Sequence, residues 1–115
     1  MSFTVIDNEN FQNFSRRSGF RTAEFKQLDG LYIRAVSQKL VFDRAVDVDM
    51  DEGVCRFSYY RTPNSPPYLT FIVRHVGPQT NMYEVWLEGK GRVEKSGLFE
   101  RAFERLEQEI EVLKT

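Results

Sequence analysis

Cysteine and histidine are almost missing from this sequence: one of each, Cys55 and His75, stands in 115 residues. A single cysteine excludes an internal disulfide, and one Cys with one His excludes the common zinc frameworks. Long apolar runs are missing too. Nothing approaches the roughly 18 consecutive apolar residues of a membrane span, and no stretch near the N-terminus has the form of a signal peptide. Arg16-Arg17 has no apolar stretch behind it, so a twin-arginine export signal is not expected. The expected setting is a soluble, reducing compartment, the cytoplasm, with no membrane partner. Charge of one sign is lacking as well. The net charge is −1, so no global basic field marks the chain for nucleic acid. Three of the four prolines gather in Thr62-Pro63-Asn64-Ser65-Pro66-Pro67. That break suits a surface loop and is too short for an interdomain linker, so residues 1–115 are read as one domain.

Aromatic residues, by contrast, are plentiful, with ten Phe, five Tyr and one Trp. Hydrophobic residues make up 41% and charged residues 29%, which places the chain among globular proteins and leaves rings to spare beyond a core. Charge is unevenly spread. Residues 47–53 carry four acids and no base, residues 54–97 six bases against three acids, and residues 98–115 five acids against three bases.

The strongest local pattern is SGLFERAFERLEQEIEVL at residues 96–113. Phe99, Ala102, Phe103, Leu106, Ile110 and Leu113 form one stripe of helical period, with Ser96 as candidate N-cap. Sixteen helical residues span roughly 24 Å and a seven-residue strand roughly 23 Å, so the stripe is expected to lie across a sheet face. Val48, Phe57, Phe71, Val73 and Val85 are the expected contacts.

Val46, Val48 and Met50 alternate with Asp47, Asp49 and Asp51, and Val54–Tyr60 follows. An even loop length puts the valines on the face of Cys55, Phe57 and Tyr59, and sets Asp47 and Asp49 beside Arg56 and Ser58. A loop of two or four residues is therefore expected. Tyr68–Val76 and Met82–Glu88 read as two more strands, and Leu31–Val36 after the turn dipeptide Asp29-Gly30 as another. A short helix over about 8–17 is expected, and Phe20–Leu28 is ambiguous. The expected fold is α+β: a mainly antiparallel sheet of about five strands, a C-terminal amphipathic helix on one face and a short N-terminal helix.

The chemistry-bearing motifs each fail a requirement. Gly89–Ser96 ends in Lys-Ser like a phosphate-binding loop, but Glu94 stands where that loop needs glycine. It reads as a basic connection into the last helix. Asp47–Gly53 puts Glu52 and Ser58 where a calcium loop needs Gly and Glu, so its alternation reads as a strand with an acidic face. Cys55 is expected in the core and His75 at a strand end, which leaves no nucleophile and base pair. No catalytic set, metal site or cofactor is expected.

What remains is the sheet face away from the helix. Parity sends Tyr60, Tyr68, Ile72 and Trp86 there with Arg56 and Arg74. Apolar rings rimmed by mixed charge suit a protein contact. The first expectation is a non-enzymatic binding or regulatory protein that uses this face and self-associates. The alternative is a single-stranded nucleic-acid binder that stacks bases on the same rings and adds Lys90, Arg92 and Lys95, although Asp47, Asp49, Glu84 and Glu88 on the face oppose a polyanion.

Overall fold

The computed structural model describes residues 20–114. Helix α1 (Thr22–Ser37) leads into β1 (Asp43–Asp49), β2 (Val54–Tyr60), β3 (Leu69–Gly77), β4 (Thr80–Leu87) and β5 (Gly91–Ser96), and α2 (Phe99–Val112) follows. The five strands lie in chain order, β1-β2-β3-β4-β5, and every neighbouring pair is antiparallel. The fold is α+β, an open antiparallel meander with both described helices on the same face. The 8–17 segment lies outside the described residues; the N-terminal helix seen is α1.

The β1–β2 hairpin has the expected register. Its four-residue turn, 50–53, sets Val46 opposite Phe57, Asp47 opposite Arg56 and Val48 opposite Cys55. Met50 does not join the apolar face; it sits in the turn and is 78% exposed. Gly53 closes this turn at φ 64°, a conformation that costs a side chain strain.

Leu31–Val36 is helix, not strand, and Asp29-Gly30 is mid-helix, not a turn. The physical reason is the longer stripe. Phe25, Leu28, Leu31 and Ala35 recur at helical spacing and are all buried, whereas Ile33 in the same stretch is exposed. A glycine inside a helix costs roughly 0.5–1 kcal/mol relative to alanine, which burial of that stripe outweighs. Asp29 also gains a partner in the helix, an ion pair with Arg44 of β1. The helix ends in a Schellman arrangement: Lys39 N–H bonds Val36 O at 3.0 Å and Leu40 N–H bonds Ala35 O at 2.9 Å. Lys39 takes the left-handed position, φ 61°, where glycine is usual.

Gly91–Ser96 was expected as a connection and is the edge strand β5. Its charges, Arg92, Glu94 and Lys95, disguise it, and charge is what an edge strand carries to resist pairing with other chains. Arg105 Nη1 of α2 covers the Val93 carbonyl at 3.1 Å. A bulge against Val85 and Trp86 puts Arg92 and Lys95 on one face of this strand.

The last helix lies on the sheet as its stripe requires, with Phe99, Ala102, Phe103, Leu106 and Ile110 buried. Ser96 is not its N-cap. Ser96 ends β5, its hydroxyl accepts the Leu98 N–H at 3.0 Å, and Leu98 precedes the first turn. The helix does not cover the whole face. It lies over β4 and β5, while α1 lies against β1 and α2. Phe99 meets Phe71 and Tyr83 edge-on at 5.5 and 5.6 Å between ring centroids, and Phe25 of α1 meets Phe57 at 5.5 Å. Two polar tips in this layer are satisfied from α1. Tyr59 Oη donates to Leu28 O at 2.8 Å, and Tyr83 Oη donates to Glu24 Oε2 at 2.9 Å.

Candidate interaction face

The other face of the sheet carries no described helix. Strand pairing lays its side chains out in rows. One row runs Asp47, Arg56, Ile72, Glu84, Lys95 from β1 to β5. Its neighbour runs Ala45, Ser58, Thr70, Trp86, Arg92. A third begins with Asp49, Val54, Arg74 and Met82.

Glu84 is the hub. Its carboxylate is 3% exposed and takes Arg74 Nε at 2.8 Å, with Arg92 Nη1 at 3.7 Å. Its other oxygen accepts the Trp86 indole N–H at 2.8 Å. Burial alone would raise the Glu84 pKa, but the hydrogen bonds from Trp86 and Arg74 and the charges of Arg74 and Arg92 outweigh it and pull the carboxyl below its ordinary value. Three partners thus hold a carboxylate ionised within the sheet. The sequence marks Glu84 as an acid on this face that opposes a polyanion, and its one further signal is its position two residues from Trp86 on the same face.

Trp86 is 37% exposed, with its one polar atom already bonded. Arg56 pairs with Asp47 at 3.0 Å across the hairpin. Ile72 lies on the expected face but is only 6% exposed. Tyr60 ends β2, half-buried. Tyr68 stands apart from this group. It directly precedes β3, where its N–H donates to Tyr59 O at 2.8 Å and its carbonyl accepts the Glu88 N–H at 2.9 Å. It packs against the core cluster, with the Arg61 guanidinium 5.3 Å from its ring centroid. Lys90 is in the β4–β5 turn, away from the hub, while Arg92 and Lys95 close the rows on β5.

Cys55 is buried, and burial, with the Asp47 charge, pushes its thiol up to about 12 against the opposing charge of Arg56. His75 is exposed on β3, and its Nδ1 contacts Asn81 Oδ1 at 2.6 Å. Among the described residues no three His, Cys, Asp or Glu side chains come together as metal ligands would. No described helix is long and apolar enough to cross a membrane. No family model, curated protein or solved structure matches the chain.

Proposed function

We propose that this protein is a non-enzymatic binding or regulatory protein, such as an adaptor, inhibitor or small chaperone, which works through the sheet face that carries Trp86 and self-associates. The observation that carries the reading is Trp86. Its ring is 37% exposed while its N–H is held by Glu84. A partner can therefore bury the ring without orphaning a donor, and the ring's rotamer is fixed in advance. Those two features characterise an interface anchor.

Charge favours a protein partner over nucleic acid. Arg56 and Arg74 are ion-paired with Asp47 and Glu84, so phosphates would have to displace carboxylates to reach them. Single-stranded nucleic acid is the competing outcome, and it would show as salt-sensitive binding of oligonucleotides.

Sedimentation equilibrium of the full chain and of Trp86→Ala tests the proposal. An indole of roughly 250 Å² that is about a third exposed leaves roughly 90 Å² to bury, worth about 2 kcal/mol per subunit. A symmetric dimer loses that twice, so the dissociation constant should rise a hundredfold or more in order of magnitude. A wild-type chain that stays monomeric at high concentration overturns self-association. An unchanged constant in Trp86→Ala removes the face.

A further inference from the structure

We infer that the cleft at the end of the sheet where β2 and β4 finish binds a sugar phosphate, with the phosphate on Lys39 and Arg61 and the sugar hydroxyls on Glu88. The site is separate from the Trp86 face and stands whether or not the chain self-associates. The cleft measures about 470 Å³, the size of a small-molecule site. Lys39, Arg61, Thr62, Ser65, Tyr68 and Glu88 line it.

Neither Lys39 nor Arg61 forms an ion pair with a described residue. Arg61 lies over Tyr68, its guanidinium carbon 5.3 Å from the ring centroid. The ring fixes the guanidinium and leaves N–H groups at its edge to fork onto phosphate oxygens. Lys39 comes from the α1–β1 connection. Its φ is 61°, a backbone conformation that glycine adopts without steric conflict. A lysine is strained there, and the strained residue brings its ammonium group to the cleft. Thr62 and Ser65 share a hydrogen bond between their hydroxyls. Ser65 Oγ also reaches the Thr62 carbonyl at a long 3.4 Å, a bond that a ligand oxygen at normal distance would replace.

Strand order gives the cleft a polarity. Lys39 lies before β1, Arg61 follows β2, Tyr68 precedes β3 and Glu88 follows β4. The Tyr68 N–H bonds Tyr59 O at 2.8 Å and the Glu88 N–H bonds Tyr68 O at 2.9 Å, which ties these strand ends together. Neighbouring strands lie about 4.8 Å apart, so Glu88 stands roughly 10 Å from the strand that ends at Arg61. Positive charge is thus at one end of the cleft and a carboxylate at the other. Phosphate is attracted to the first end and repelled from the second, where a carboxylate accepts hydrogen bonds from hydroxyls. A hexose phosphate carries both groups across such an interval. An α-amino acid holds its two charges too close together to reach both ends. A nucleotide needs an open ring face for its base, and Tyr68 is covered by Arg61 and packed on the core.

An NMR titration of the ¹⁵N-labelled full-length chain with glucose 6-phosphate, glucose and inorganic phosphate tests the site. Glucose 6-phosphate should bind about tenfold or more tightly than the other two, because each of those engages one end alone. Arg61→Gln and Lys39→Gly should each weaken it about tenfold, the loss of one charge-assisted hydrogen bond. Lys39→Gly also relieves the strained backbone, so its melting temperature should hold or rise, which separates lost binding from a lost fold. Glu88→Ala should weaken glucose 6-phosphate and leave inorganic phosphate as tight or tighter. Equal binding of glucose 6-phosphate and inorganic phosphate, both indifferent to Glu88→Ala, would mean a bare anion site and overturn the sugar phosphate. The absence of saturable shifts with any of the three probes in the millimolar range would overturn the cleft as a phosphate site. Binding that survives both Arg61→Gln and Lys39→Gly unchanged would do the same.

Discussion

Replacing Glu84 by Gln probes the hub of the Trp86 face, and the size of the effect can be worked from its partners. Gln has the same length, and its carbonyl oxygen can still accept the Trp86 N–H now held at 2.8 Å. Its amide would present a donor to Arg74, where the carboxylate accepts at 2.8 Å. One charge-assisted hydrogen bond, worth roughly 1.5–3 kcal/mol, is lost. Arg74 is 38% exposed and Arg92 45%, so both can turn toward water, which moves the cost to about 1–2 kcal/mol. For a chain of this size that is a fall of roughly 4–8 °C in Tm. The effect must also depend on pH. The Glu84 pKa is lower in the fold than in the unfolded chain, so its contribution is complete above the unfolded carboxylate value of about 4.3. It is lost as pH falls through the folded value. Urea melts at pH 7 and near pH 2 should show the wild type and Glu84→Gln apart at the first and converging at the second. A gap that is the same at both pH values would refute the argument, because it would mean the carboxylate charge contributes nothing.

Other consequences are open to measurement. Leu106 is fully buried where α2 meets the sheet, so Leu106→Ala should cost about 3–5 kcal/mol in a urea melt; a loss below about 1 kcal/mol would mean that α2 is not docked. Lys39→Gly removes a side chain from a left-handed position and should raise stability by about 1 kcal/mol, read as a higher urea midpoint; a lower midpoint would contradict the Schellman geometry. The Cys55 thiol, buried and pushed up to about 12, should resist a disulfide reagent at pH 8 until urea unfolds the chain. Rapid labelling of the native protein would place Cys55 elsewhere.

The elements legible in the sequence were those whose pattern has one solution. In β1 and β2 the alternation of Val46 and Val48 with Asp47 and Asp49 fits only the register that sets Asp47 beside Arg56, and that pairing is present. The α2 stripe is long enough to exclude a strand. The second half of α1 was not legible, because Leu31, Ile33 and Ala35 alternate over a window too short to separate period 2 from period 3.6. Packing against β1 decides in favour of the helix. β5 was hidden because an edge strand is marked by charge, which is also the mark of a loop. On the candidate face, parity placed Arg56, Ile72, Arg74 and Trp86 together correctly. Tyr68, directly before β3, is partly buried against the core cluster beside Arg61, a contact that parity does not reveal. The role of Glu84 could not be read in advance, since its burial depends on three strands meeting at one carboxylate.

Trp86 is the sole tryptophan, so its fluorescence reports directly on whether one sheet face is left for a second copy. Acrylamide quenching should be followed across a dilution series of the full chain. The account predicts a ring open to quencher in dilute solution and progressively protected as concentration rises. A ring quenched equally at every concentration, or shielded even in the most dilute sample, would contradict it.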